Sequence, residues 1–270
     1  MTLEEALGSY LGTKTRISAT VRNRMAKHFA DFAAFLPGKT VDEITVEDVQ
    51  RFATTLAELN SATRNGIRGN LIRSFKYALQ MEWTKKDPCC MWDAEPVIRA
   101  AQPVFYSKEQ RTEIIRQANE GLKAFFAFSF ATGIRQGTVR LLVWKWITKE
   151  GVLEVPEGAV KNRVQLRIPL SRWVLRLLGP RKAPGSLIFP DLPGQPTIWK
   201  GFRAATWKAG IRDGGKPRDM RATFANSLMQ AGAPLSAICR LGGWNNPQTV
   251  MRYYASDVPD KDARKYLEEI

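Results

Sequence analysis

The sequence predicts a mainly α-helical protein with one small antiparallel β-sheet, an α+β fold in two domains. Three observations carry that expectation. Apolar residues recur at three- and four-residue spacing in both halves of the chain. The period shortens to two only between about residues 151 and 170. A stretch with three prolines, "KKDPCCMWDAEPVIRAAQPV", breaks the periodicity near residue 100. A chain of 270 residues suits one large domain or two modest ones. The interruption favours two, over 1–100 and 101–270.

The elements follow in order. Val21, Met25, Phe29, Phe32 and Leu36 share one face of a first helix, which Pro37 and Gly38 end. Ile67, Leu71, Phe75 and Leu79 mark a second. Arg73 and Lys76 fall on its opposite side and Arg64 and Arg68 near its start, so these four form either a solvated face or one turned to phosphates. Past the boundary, "SKEQRTEIIRQANE" and "GLKAFFAFSFATG" read as helices, the first opened by Ser107 with Glu109 and Gln110 behind it. "GVLEVPEG" and "RVQLRIPL" then predict an antiparallel hairpin, with Lys161 at or near its tip. Helical patterns resume near Ser171, at "TIWKGFRAATWKAG" and at "RDMRATFANSLMQAG". "DKDARKYLEEI" closes the chain as a short amphipathic helix, packed on its own domain or on a neighbouring protomer. Trp144, Trp146, Trp173, Trp199 and Trp207 read as core or rim packing.

Charge narrows the function. The net charge is +15, which calls for a polyanionic partner. Residues 1–100 hold 14 Lys/Arg against 12 Asp/Glu, and residues 101–270 hold 27 against 14. The basic field therefore belongs to the second domain. Cys89, Cys90 and Cys239 are an odd count with two adjacent, which fits a reducing, cytoplasmic setting. His28 is the one histidine, too few for a zinc site or a convincing Ser/His/Asp arrangement. The longest apolar run, Ala124 to Ala131, is far short of the roughly 20 residues of a membrane span. The acidic start "MTLEEALGSY" is no signal peptide. "AAFLPGKT" has Ala33 where a phosphate loop needs glycine. The acids of the basic domain are scattered, unlike a two-metal nuclease. No metal, cofactor or membrane is expected.

Chemistry is carried by five short boxes. "RDMR" puts Arg218 and Arg221 three apart at a helix start, so two guanidinium forks rise on one face. "TGIR" puts Arg135 just after Gly133, a candidate helix cap. Between them lies the hairpin lysine, and "LGGW" and "TVMRYY" follow. This order and spacing resembles the catalytic domain of the tyrosine recombinases, the phage-integrase family, from about Val104 to Ile270. The resemblance extends more loosely to the N-terminal helices, which look like the family's core-binding domain. It places the family's two arginines at Arg135 and Arg221, its lysine at Lys161 and its H-x-x-R histidine position at Arg218. Its L-G-H/W box ends at Trp244, and its nucleophile falls at Tyr253. Adjacent helical residues point about 100° apart, so Tyr253 and Tyr254 cannot serve one phosphate together, and the family's spacing selects Tyr253. Two places depart from the family: Thr138 stands where an acid is usual, and Arg218 puts a guanidinium, which has donors and no acceptor, where a base would stand.

The resemblance implies a two-domain clamp on duplex DNA. In it Arg135, Arg218, Arg221 and the Trp244 indole hold a phosphate, Lys161 protonates the leaving 5′ oxygen, and Tyr253 attacks. It further implies a metal-independent site-specific recombinase acting as a homotetramer at short core sites through a Holliday junction, with little room for a separate arm-binding domain. The alternatives are type IB topoisomerase-like relaxation and a DNA-binding protein impaired in catalysis.

Overall fold

Side chains that start helices set the first level of structure. Thr2, Thr45 and Ser107 each accept a hydrogen bond from the N–H three residues on, and side-chain oxygens of Glu5, Asp48 and Gln110 accept one from the cap's own N–H. Reciprocal boxes of this kind satisfy two orphan donors at once. The computed structural model describes residues 1–97, 103–159 and 165–254 of the chain, apart from the side chains of 252–254. It divides into two compact units, Met1–Ala100 and Ala101–Ile270.

The first unit is helical: α1 (Leu3–Gly12), α2 (Ala19–Phe35), a 3-10 turn at Val41–Glu43, α3 (Val46–Thr55) and α4 (Ser61–Gln80). The two apolar stripes meet in one core with Leu3, Leu7 and Tyr10 of α1. There Phe32 packs edge-on against Phe52 at 4.9 Å and against Phe75 at 6.1 Å between ring centroids. Truncating a fully buried phenylalanine such as Phe32 to alanine typically costs about 3–5 kcal/mol. Along α4 the buried position after Phe75 is Ala78, while Leu79 is half-buried. Three turns of 3.6 residues carry the face of Ile67 onto position 78. Arginines then tie the loops down. Arg22 donates to the carbonyls of Leu11 and Lys14 at the end of α1. Arg64 grips the Glu95 carboxylate through two nitrogens and also donates to the carbonyls of Ala57 and Leu59. Arg68 donates to the Trp92 carbonyl.

The second unit is built around α6 (Glu120–Thr132), whose Phe125, Phe126, Phe128 and Phe130 are all buried. A helix apolar on every side belongs at the centre of a core. Around it lie α5 (Lys108–Gln117), the short α7 (Gln136–Val139), a 3-10 turn at Trp144–Trp146, α8 (Arg172–Leu178) and α9 (Gln195–Lys208). Three more helices follow: α10 (Asp219–Gln230), α11 (Leu235–Gly242) and α12 (Pro247–Tyr254). The hairpin forms as β1 (Val152–Val155) and β2 (Leu166–Pro169), antiparallel, with Leu153 opposite Ile168 and Val155 opposite Leu166. Those four face the core; on the outer face Glu154 pairs with Arg167 at 3.0 Å. A two-stranded sheet among helices is the expected fold class, and no described helix is long and apolar enough to cross a membrane. The closing "DKDARKYLEEI" lies outside the described residues.

Candidate active site

α6 stops where its last residue gives way to Gly133. That glycine has φ +62°, and a Cβ there would overlap the Phe224 ring of α10. Only glycine meets both conditions without strain. The turn presents two groups. The Gly133 carbonyl accepts a hydrogen bond from Arg221 Nη1 at 2.5 Å, and Arg135, two residues on, caps the start of α7 with its side chain half-buried. Thr138, the residue in the expected acid's place, is buried in α7, and its N–H donates to the Arg135 carbonyl at 2.8 Å.

α10 supplies the second set of cations. Asp219 opens it, 3 % exposed, and its Oδ2 accepts from the Lys216 N–H at 2.7 Å. The Tyr106 hydroxyl accepts from the Gly215 N–H at 2.8 Å. These two buried acceptors fix the turn from Gly214 to Arg218, so the exposed side chains of Lys216 and Arg218 leave it from a defined place. One turn into the helix, Arg221 is 8 % exposed. Burial pushes the Asp219 carboxyl above its ordinary range, against the lowering effect of nearby N–H groups, Arg218 and Lys216. Burial also pushes the Tyr106 phenol up to about 12, which unfits it as a nucleophile.

The "LGGW" box is a local solution to a packing problem. α11 ends at Gly242, Gly243 turns left-handed, and the Trp244 N–H returns to the Cys239 carbonyl at 2.9 Å. A Cβ on Gly242 would overlap the Trp244 ring. With hydrogen there instead, the indole folds back over the helix end and lies 3.7 Å beneath the Arg221 guanidinium. Trp244 is 6 % exposed, and its ring covers the Arg221 guanidinium. Desolvated cation–π contacts of this sort are worth about 2 kcal/mol.

The result is a cavity of about 410 Å³ lined by Arg135, Lys216, Arg218 and Arg221, with Trp199 and Gln195 of α9 on its rim. No carboxylate is among its described lining residues. Four cations around such a recess select an anion. Three of the six expected catalytic residues thus meet in one place although 83 positions separate Arg135 from Arg218. Tyr253 and Tyr254 lie in the last turn of α12, which packs against α10 and α11. Lys161 falls in 160–164, outside the described residues, between the ends of β1 and β2.

Sequence reasoning missed Lys216, Asp219 and Tyr106. Lys216 was legible as a third cation in "KPRDMR", and Asp219 accepts from a residue only three before it, but Tyr106 reaches Gly215 only through the tertiary fold. In the first unit, Arg64 and Arg68 hold the segment after α4 through the Glu95 carboxylate and the Trp92 carbonyl. Arg73 and Lys76 are exposed. Among the tryptophans, Trp144 is core, Trp146 packs half-buried against that core, and Trp173, Trp199 and Trp207 are exposed.

The family model described as "Phage integrase family" matches residues 105–259. The integrase of Salmonella phage P22 is 27% identical over 209 residues, which cover 68% of this chain and 51% of that protein. The chain therefore spans about half the length of that relative. The tyrosine recombinase XerC of Lactobacillus delbrueckii subsp. bulgaricus is 25% identical over 94% of both chains. Among solved structures, a lambda integrase dimer bound to a COC' core site matches with a TM-score of 0.78 at 17% identity, covering 94% of this chain and 96% of that one. The Tn1549 transposon integrase with a circular intermediate DNA matches at 0.74 and 17% identity, over the whole of both chains.

Proposed function

The chain belongs to the phage integrase family, and we propose that it is a site-specific recombinase that cuts and rejoins duplex DNA through a tyrosine ester. One observation carries the reading most directly: Arg135, Arg218 and Arg221, from two distant parts of the chain, line a single cationic recess. A phosphodiester repels nucleophiles through its own charge, and that charge grows on the non-bridging oxygens in the transition state. Fixed donors in a recess answer both difficulties, each worth about 3–4 kcal/mol. Arg135 and Arg221 clasp the non-bridging oxygens, Arg218 and Lys216 add positive field, and Trp244 keeps Arg221 in plane.

The Tyr253 phenolic oxygen bonds to phosphorus as the bond to the 5′ oxygen breaks. The phenolic proton passes to solvent, its loss eased by the cations, and the Lys161 ammonium protonates the departing oxygen. The products are a 3′-phosphotyrosyl link and a free 5′ hydroxyl. The ester conserves the bond's energy, so religation to a new strand consumes no ATP and calls for no metal. In the first unit Arg73 and Lys76 contact DNA phosphates. Four protomers act on two core sites and exchange strands pairwise through a Holliday junction. The assignment of the first unit as the core-binding domain and of the second as the catalytic domain belongs to the same proposal.

A randomised library of nicked suicide duplexes tests it. Wild type yields a denaturant-resistant protein–DNA adduct, Tyr253→Phe yields none, and sequencing the trapped DNA gives the core site. Binding with no adduct would leave a DNA-binding protein without catalysis, and relaxation of supercoils without site preference would replace the recombinase with a topoisomerase.

A further inference from the structure

Gln195, Trp199, Arg203 and Trp207 follow one another at four-residue spacing along α9. They therefore share one face. That face is exposed: Trp199 by 42 % and Trp207 by 57 %. The Arg203 guanidinium lies 5.5 Å from the centre of the Trp199 ring, and Arg212, just past the helix, lies 3.9 Å over Trp207. Large apolar rings held out at a surface mark an interaction site more often than chance packing. Here each ring is also braced by a cation.

The ladder starts at the catalytic recess. Trp199, Lys216 and Arg218 line that recess and also a second cavity of about 400 Å³. Arg203, Trp207, Arg212 and Asp213 lie farther along the second cavity's wall. A ligand that places a phosphate in the first cavity continues directly into the second. Its chemistry is constrained: flat faces reward a flat π system, and the interleaved guanidinium groups reward phosphate. A nucleic-acid strand offers both in alternation. Paired bases are already stacked on each other and present only their edges, so the rings gain most from a base that has left the duplex.

We propose that this second cavity receives an unpaired nucleotide adjoining the scissile phosphate, its base on Trp207 and its backbone held by Arg203, Arg212 and Lys216. The proposal rests on the recombinase reading, because strand exchange is the step that frees such bases. Dimensions agree. The cavity volume lies within the range of roughly 300–1,000 Å³ typical of small-ligand sites. Asp213 adds an acceptor for the amino or imino hydrogens of a base.

The test uses the full chain and two fluorescein-labelled probes, a single-stranded 12-mer of thymidylate and a blunt duplex of equal length, read by anisotropy. Trp207→Ala weakens the single-stranded probe about tenfold, as loss of one stacking platform does, and changes duplex affinity less than twofold. Trp207→Phe, which keeps a ring, recovers most of the loss, and equal thermal midpoints for the three proteins exclude misfolding as the cause. Equal weakening of both probes would overturn the proposal in favour of duplex contact, and so would an unchanged single-strand affinity. The suicide-duplex assay separates this failure from that of the function. An adduct with wild type alongside indifferent Trp207 variants sinks the pocket alone, whereas selective loss of single-strand binding without any adduct sinks the recombinase reading alone.

Discussion

In the first unit Arg22, Arg64 and Arg68 donate to carbonyls or a carboxylate of their own unit, whereas in the second Arg135, Arg218 and Arg221 line a recess with no carboxylate among its described residues. The residue type is the same and the balance differs: Arg221 also donates to the Gly133 carbonyl and Arg218 lies 3.8 Å from an Asp219 oxygen, yet both line the recess with Arg135. What differs is the supply of acceptors. The first unit has nearly as many acids as bases, so an arginine near a loop finds an internal partner. The second has about twice as many bases as acids. Its buried acid in this region, Asp219, accepts from a backbone N–H through Oδ2 and lies 3.8 Å from Arg218 through Oδ1, and Arg135, Arg218 and Arg221 line a common opening. Donation to a carbonyl or carboxylate holds a loop; convergence without acids makes an anion site.

The largest effect that can break this contrast is catalytic. Arg135→Ala and Arg221→Ala are each expected to slow adduct formation on a nicked duplex by about 10²–10³-fold, the usual loss for one preorganised donor. Arg64→Ala should leave the single-turnover rate within about twofold, because that guanidinium is bound to Glu95 within its own unit and meets no transition-state charge. If Arg64→Ala slows the step as much as Arg135→Ala, the division between structural and catalytic arginines is wrong. Arg221→Ala should also lower stability, because the Gly133 carbonyl loses its donor and the Trp244 ring its cover.

Next in size is the turn that delivers Arg135. Gly133→Ala must adopt φ +62° and meet the Phe224 ring, so the unfolding free energy should fall by about 2–4 kcal/mol. Denaturant titration measures it. A loss below about 1 kcal/mol would mean that α6 and α10 separate easily there, and that the recess is less fixed than the hydrogen bond between Arg221 and Gly133 implies.

The comparison also explains what could be read from the sequence and what could not. The α2 and α4 stripes, the helix boundaries at Ser107 and Gly133, and the hairpin are local patterns, and local patterns survive into the structure. α11 was not expected, although Gly242 and Gly243 mark its end; its eight residues are too few for a clear period, and Pro234 in place of a hydroxyl cap weakens the start signal. The ordering of "TGIR", "RDMR" and "LGGW" gave the cluster of arginines, because a spacing pattern carries the fold's memory of distance. It could not give the Trp244 contact with Arg221, the Tyr106 hydroxyl on the Gly215 N–H, or the pairing of Arg64 with Glu95, each of which joins residues that nothing in the chain marks as neighbours.

A smaller effect sharpens the contrast inside the first unit. Arg73→Ala combined with Lys76→Ala should weaken duplex binding evenly across sequences and reduce the slope of log affinity against log salt by about 2, one per phosphate contact. Arg64→Ala should lower the thermal midpoint instead and leave the salt slope unchanged. A slope that falls with Arg64→Ala would show that the Glu95 pairing opens when DNA binds.

The smallest effect is a difference in sign with pH. Burial raises the Asp219 pKa, while the hydrogen bonds from Arg64 hold Glu95 below the ordinary carboxylate range. A raised acid is stabilised in its neutral form, so its contribution is fully present below the unfolded value of about 3.9 and is lost as pH rises through the folded value. A depressed acid behaves oppositely: its contribution is present above about 4.3 and is lost as pH falls through the folded value. Asp219→Asn keeps an oxygen to accept from the Lys216 N–H but no longer titrates. Its thermal midpoint should therefore gain on wild type as pH is raised from about 3.5 to 7. For Glu95→Gln the deficit against wild type should shrink as pH is lowered over the same interval. Should Asp219→Asn lose ground as pH rises, Arg218, Lys216 and the N-terminus of α10 would outweigh burial at that carboxylate. The second unit would then stabilise a buried anion beside the recess with the same cations that await the phosphate.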